Sequence, residues 1–171
     1  IGEALDSVFA QTFGDHEVIV VNDGSPDKEA LERVLGPYRD SVVYVKKANG
    51  GLSSARNAGM RAARGQYVAL LDSDDVWETD YLAVQVAALD ADPTVAVSYA
   101  NAVIFGDGLD QGMNYMSIFP SEGEVTVQSI VAMKCKPASI EIARSCWWRS
   151  MATISTIRQW RARAKPSTLV S

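Results

Sequence analysis

The sequence predicts an α/β fold with a mostly parallel sheet flanked by helices, and three observations carry that prediction. Short apolar, β-branched runs at 17–21, 42–45 and 66–71 alternate with segments patterned for helices. Each run is too short for a helix, and Gly, Pro or Asn punctuates the segments between them. Two runs end directly in acidic turns, Asn22-Asp23-Gly24 and Asp72-Ser73-Asp74-Asp75. Ligands of open α/β sheets bind at those strand ends.

Taken in order, Ile1, Leu5, Val8 and Phe9 stand at helical spacing, so 1–12 reads as a helix. A chain that opens on Ile1 inside a helix reads as a fragment. Glu17 to Val21 is a strand, and Asn22 to Asp27 is a turn in which Ser25 or Asp27 caps a helix over 28–36. Gly36-Pro37 ends that helix. Val42 to Val45 is the next strand, Asn49-Gly50-Gly51 a flexible loop, and Leu52 to Arg64 a helix rich in Ala and Arg. After the strand at 66–71 comes a helix over Tyr81 to Leu89, then a strand over Val95 to Tyr99 that Ala102 to Phe105 extends past a break. Right-handed crossovers bring the Asp23 and Asp72 turns to one edge of the sheet.

With 171 residues, 47% of them hydrophobic, the chain suffices for one core-bearing domain and is too apolar for disorder. No apolar run approaches the ~20 residues of a membrane span, and no signal-peptide pattern is visible. Cys135 and Cys146 match no zinc spacing. His16 is the only histidine, a poor basis for a histidine-driven mechanism. Charge is uneven: residues 1–134 carry 20 acidic and 9 basic residues, a net −11, whereas 135–171 carry a net +6. An acidic body repels phosphate, which argues against a nucleic-acid partner.

Three carboxylates within four residues at 72–75 repel one another unless a cation sits among them. Hard oxygen ligands suit Mg²⁺ or Mn²⁺. The plain alternative is a solvated turn in which Asp75 caps the helix that follows.

Four segments together carry a resemblance: Ser7-Val8-Phe9-Ala10-Gln11-Thr12, Val20-Val21-Asn22-Asp23-Gly24-Ser25-Pro26-Asp27, Asn49-Gly50-Gly51-Leu52-Ser53-Ser54-Ala55-Arg56-Asn57-Ala58-Gly59, and Leu70-Leu71-Asp72-Ser73-Asp74-Asp75. In this order and spacing they closely resemble family 2 glycosyltransferases of the GT-A fold, over about residues 1–105. The resemblance implies an inverting transfer from a nucleotide-sugar donor, usually UDP-linked, with a divalent metal. By position, Asp23 would bind the base and Arg56 the ribose or diphosphate. Asp74 would contact the metal, and Asp72 the ribose or metal-bound water. Gly50 and Gly51 would allow close backbone approach. Asn22 stands where many relatives carry a second Asp; an amide keeps the turn without the charge. A glycan or lipid-linked acceptor, a role in polysaccharide synthesis and a cytoplasmic setting, at the inner membrane face or free of it, complete what the family implies.

The sequence departs from the family twice. The usual first strand, with its Pro-x-Tyr-Asn type motif, would precede Ile1, and its place lies between the strands at 17–21 and 66–71. Two ladders are then expected to stand unpaired and the chain to be weakly folded. The Gly-Gly-Phe-Asp stretch and Glu-Asp pair of the acceptor half are also missing after residue 105. Glu122, Glu124 and Glu141 have no context that marks a base, so no catalytic residue is assigned.

The chain therefore divides into a partial donor-binding domain over 1–134 and an atypical basic tail over 135–171. Two readings of the tail stay open. One is a frameshift near 134–146, since Cys146 to Ala152 read in another frame resembles the family's helix before Gly-Gly-Phe-Asp. The other is a native basic tail resting Trp147, Trp148 and Trp160 on a membrane surface. For function, the alternatives are a nucleotide-sugar or metal-binding remnant without turnover, and a flavodoxin-like or dinucleotide-binding domain. The second ranks low because no Gly-x-Gly-x-x-Gly follows the first strand.

Overall fold

A computed structural model describes residues 1–106 and 111–118 fully, and 139–143 and 155–157 as backbone. Helix α1 (Gly2–Phe9) leads into strand β1 (Val18–Asn22), helix α2 (Lys28–Leu35) and a 3₁₀ turn (Gly36–Tyr38). Strand β2 (Val42–Lys46), helix α3 (Leu52–Ala62), strand β3 (Tyr67–Leu70), helix α4 (Tyr81–Ala91) and strand β4 (Val97–Ala100) follow. A one-turn helix α5 (Tyr115–Ile118) and strands β5 (Ser139–Ala143) and β6 (Ser155–Ile157) complete the described elements.

β1 and β2 pair in parallel, with Val18 opposite Val42 and Asn22 opposite Lys46, and α2 is their crossover. A second sheet runs β4-β5-β3-β6, and its ladders are antiparallel. The ladder expected to stand open beside β3 is instead occupied: Val68, Ala69 and Leu70 pair with Ile157, Thr156 and Ser155. An unpaired strand edge offers N–H and C=O groups to any extended segment, and β6 takes them. β6 also lies beside β1 and α3.

Period-two alternation sorts β1 and β3 between two apolar clusters. Val18 and Val20 join Ala69 and Leu71 in one, under α1, Leu35, Trp77 and Leu82. Ile19 and Val21 join Val68 and Leu70 in the other, under Ala55 and Ala63. Both faces of each strand are therefore covered, which is why these runs are continuously apolar. Every residue of β1 and β3 is buried. At ~25 cal/mol per Å² of apolar area, each buried Val or Ile contributes on the order of 1.5–3 kcal/mol.

Local expectations largely hold. Asp27 caps α2, its carboxylate accepting the Ala30 N–H at 3.1 Å. Two need correction. Asp75 does not cap the next helix: its own N–H donates to the Asp72 carbonyl at 3.2 Å, closing the acidic turn on itself, and Asp80 holds the N-cap position of α4. The turn spends five further residues before the helix begins. Residues 102–105 do not extend β4 as a strand; Val103 makes a single antiparallel bridge to Asn114. Phe105 and Val103 are exposed there, so no burial holds the segment in a sheet. Glu122, Glu124, Cys135, Cys146, Trp147, Trp148 and Trp160 lie outside the described residues. Among the described residues no helix is long and apolar enough to cross a membrane.

Candidate functional site

The ends of β1 and β3 converge. A cleft of about 480 Å³ opens between them, lined by the 22–26 turn, by Asn49, Gly51, Leu52 and Ala55 from the start of α3, and by Ser73 of the acidic turn. The shared edge foreseen for the two acidic turns is thus present. Ile1, Val20 and Leu31 give the cleft apolar walls.

Asn22 is buried and pins the turn. Its amide oxygen accepts the Ser25 N–H at 2.8 Å, and its amide nitrogen donates to the Tyr44 hydroxyl at 2.9 Å. An amide satisfies both partners with no charge to bury. Gly24 has φ +75° and approaches the neighbouring loop closely; a Cβ there would meet the Asn49 backbone nitrogen at 2.8 Å.

Asp23 reaches across to that same loop. Its Oδ1 accepts from the Lys47 ammonium in a short ion pair, and the Gly50 N–H lies 3.1 Å from Oδ1 and 3.2 Å from Oδ2. The Lys47 hydrogen bond, helped by the Gly50 N–H and opposed by partial burial, holds the Asp23 carboxyl below its ordinary value of 3.8. Lys47 also donates to the Ala48 carbonyl at 2.6 Å.

At the acidic turn, the guanidinium of Arg56 in α3 donates to Asp72 Oδ1 at 3.0 Å. Arg56 is mostly covered and Asp72 is 40% exposed in its side chain. Asp74 and Asp75 are exposed residues. Partial desolvation raises the Asp75 carboxyl above its ordinary value, and the charges of Asp72 and Asp74 add to it.

Behind the turn, the Ser7 to Thr12 segment grips the chain that leaves it. Ser7 Oγ accepts the Trp77 N–H at 3.1 Å, and the Thr12 N–H donates to the Thr79 carbonyl at 2.8 Å. The buried Gln11 amide donates to the Glu78 carbonyl at 2.6 Å and to Ser7 O at 3.1 Å, while its oxygen accepts the Leu82 N–H at 2.9 Å. Leu82 is the second residue of α4, and Asp80 makes no side-chain cap there, so Gln11 caps the helix from outside.

Of the four predicted site residues, Asp23 lines the cleft, while Arg56 and Asp72 pair with each other next to the cleft-lining Ala55 and Ser73, and Asp74 follows Ser73 in the acidic turn. Sequence reasoning missed Lys47 as the partner of Asp23, Tyr44 as the partner of Asn22, and the grip of Ser7 and Gln11 on α4. The only available signal was position: Lys47 follows a strand whose last residue pairs with Asn22.

The architecture is an α/β domain with a cleft at its strand ends, the place where open α/β sheets carry their ligands. The sequence model for Glycosyl transferase family 2 matches residues 1–150, and the chain belongs to that family of enzymes. An uncharacterized glycosyltransferase of Bacillus subtilis, EpsJ, is 49% identical over 76 residues, which cover 44% of this chain and 22% of EpsJ. The minor teichoic acid biosynthesis protein GgaB of the same organism is 45% identical over 78 residues, covering 43% of this chain and 9% of GgaB.

Among solved structures, residues 1–349 of S. aureus TarS in complex with UDP match with TM-score 0.60 and 28% identity, over 82% of this chain and 42% of that one. The mannosyltransferase PcManGT of Pyrobaculum calidifontis, in complex with GDP-Man and Mn²⁺, matches with TM-score 0.53 and 33% identity, over 60% of this chain and 32% of that one. The fold is accordingly GT-A. The chain spans less than half the length of each of these relatives.

Proposed function

We propose that this chain binds a nucleotide-diphosphate sugar and forms the donor-binding part of a glycosyltransferase that passes the sugar to a hydroxyl of a glycan or lipid-linked acceptor. The observation that carries the reading is the cleft itself, which Asp23, Ala55 and Ser73 line, with the Arg56–Asp72 ion pair formed by the residues next to Ala55 and Ser73. Asp23 accepts a hydrogen bond from the base. Arg56 exchanges its bond to Asp72 for the diphosphate, where a planar cation is well matched to phosphate oxygens. Asp72 then turns to the ribose.

A divalent metal fits the donor set. Among the described residues no three His, Cys, Asp or Glu side chains converge into a cage. Mg²⁺ and Mn²⁺ sites of this kind use one or two carboxylates and complete their shell with substrate phosphates and water. Asp74, with Asp72 two residues before it, would be such a pair. When bound, the metal supplies charge stabilisation to the departing diphosphate.

In the transfer, an acceptor oxygen bonds to the anomeric carbon from the face opposite the diphosphate. The bond from that carbon to the diphosphate oxygen breaks with its electron pair, and the acceptor proton leaves to a base outside the residues assigned here. The solved complexes of TarS with UDP and UDP-GlcNAc, and of PcManGT with GDP-Man and Mn²⁺, support a nucleotide sugar as donor. GgaB's association with teichoic acid supports a polysaccharide setting.

Calorimetric titration of UDP into the chain, with and without Mn²⁺, tests the reading. Binding that strengthens with Mn²⁺ in the native chain and loses that gain in Asp74→Ala is expected. A folded native chain that takes up no UDP overturns it. Donor binding with no transfer to any supplied acceptor would leave a binding remnant in place of an enzyme.

A further inference from the structure

β2 is the end strand of its sheet. β1 pairs along one side, and among the described residues no strand pairs along the other. The Lys47 N–H donates to the Asn22 carbonyl at 3.0 Å, so the odd-numbered residues of β2 turn their backbone groups toward β1. The even-numbered residues Val42, Tyr44 and Lys46 turn theirs outward, where N–H and C=O groups form a template for another extended strand. Val43, between them, is 39% exposed.

We propose that this edge joins two copies of the chain, with β2 paired against β2, antiparallel about a two-fold axis at Val43. Outward groups meet outward groups only when both paired residues are even-numbered, and a two-fold axis makes every pairing reciprocal. With the axis at Val43, Val42 of one copy forms a hydrogen-bonded pair with Tyr44 of the other. Each Lys46 then stands opposite the other copy's Asp40, in the turn that leads into β2. Asp40 is exposed, and the Lys46 side chain is 51% exposed. Opposite charges across antiparallel strands stabilise the pairing and like charges oppose it. Moving the register by one outward residue sets Lys46 against Val42 or Tyr38, and the charge match is lost. An edge lysine blocks pairing when nothing opposite accepts it; here Asp40 does. The Lys46 ammonium lies over its own Tyr44 ring and pairs with Glu32 at 2.6 Å, which holds it at this edge. Arg39 shares a recess with Glu32, Val42 and Tyr44, and its charge acts on Glu32. In the joined sheet, β1-β2-β2-β1, the two clefts open at opposite ends because the paired strands run antiparallel.

Analytical ultracentrifugation over a concentration series reaching about 1 mM tests the pairing, since so small an interface binds weakly. The native chain should dimerise reversibly. Asp40→Lys and Lys46→Glu each set like charges together at both ends of the pairing, and each should weaken dimerisation by about tenfold or more. Mixed in equal amounts, the two variants should associate with each other as the native chain does, because both charged pairs are then opposite in sign. Asp40 and Lys46 of one chain stand roughly 20 Å apart along the strand, so recovery in the mixture comes from contact between copies. Thermal melts confirm that each variant is folded. Val43→Cys, combined with Cys135→Ser and Cys146→Ser, should cross-link as a dimer under mild oxidation. The axis brings this non-hydrogen-bonded pair to about 4.5 Å between Cα atoms, within disulfide reach. A native chain that stays monomeric throughout overturns the proposal. So does dimerisation that neither charge variant weakens, or that both weaken and their mixture does not recover. A native dimer whose Val43→Cys counterpart fails to cross-link overturns the register.

Discussion

Truncating Gln11 to alanine removes three hydrogen bonds, two of which tie the end of α1 to the start of α4. Two of them end on the carbonyls of Ser7 and Glu78, and the third begins at the Leu82 N–H, which is buried. Each bond is worth about 0.5–1.5 kcal/mol net, and a buried N–H left without a partner costs about 1–3 kcal/mol. Water can reach the half-buried carbonyls and recover part of the loss. Gln11→Ala should therefore destabilise the fold by about 2–4 kcal/mol, a large share of the ~5–15 kcal/mol typical of a domain. At ~2–4 °C per kcal/mol for a chain of this size, the melting temperature should fall by about 4–16 °C.

Ser7→Ala is the internal control. It removes the acceptor of the Trp77 N–H and the donor to the Ala4 carbonyl, and should cost about 1–2 kcal/mol. Urea unfolding of both variants gives the comparison directly. The clamp also fixes the segment that leaves the acidic turn, so UDP binding in Gln11→Ala should lose more of its Mn²⁺-dependent gain than of its metal-free affinity. A Gln11→Ala cost no larger than that of Ser7→Ala would refute the assignment of Gln11 as an external cap.

Two further outcomes follow from the cleft. Gly24→Ala should cost more than Gly51→Ala in urea unfolding, because both glycines hold positive φ but only position 24 also meets backbone within 2.8 Å; the conformational part alone is worth about 1–3 kcal/mol. Equal costs would show that the Asn49 loop yields freely. Asp23 has a depressed carboxyl, so its contribution to stability is fully present above 3.8 and is lost as pH falls through its lower folded value. Removing its first cause in Lys47→Met should move the Asp23 titration upward, as read from the carboxyl ¹³C shift in a pH series. No upward movement would mean that the ion pair does not persist in solution.

Most of the core was legible because its signals are local. β1 and β3 are uninterrupted apolar runs, and their even and odd residues go to opposite clusters as a doubly covered strand requires. Asp27 announced its helix by residue type and offset alone. The convergence of Asp23 and Asp72 followed from crossover handedness. What escaped reading depends on register and on partners far along the chain. Lys46 and Lys47 look alike in sequence, yet strand alternation sends the first to Glu32 and the second, 24 residues from its partner, to Asp23. Gln11 meets Leu82 across 71 residues, a contact that helical spacing within 1–12 does not encode. Asp75 looked like a cap because Asp is a common capping residue, but the start of α4 lies further on, at Asp80. The β3–β6 ladder joins segments whose pairing no turn or pattern announces.

The contact between Gly24 and Asn49 also bears on how fast a ligand arrives. The two loops lie so close that no Cβ fits between them at position 24, and the Asp23–Gly50 hydrogen bond joins them a second time. One wall of the cleft is therefore assembled before any nucleotide reaches it, and encounter does not wait on loop closure. Association on that side is governed by diffusion and orientation, in a range of roughly 10⁵–10⁷ M⁻¹s⁻¹. Differences in affinity among nucleotides should then be written almost wholly in how long each one stays.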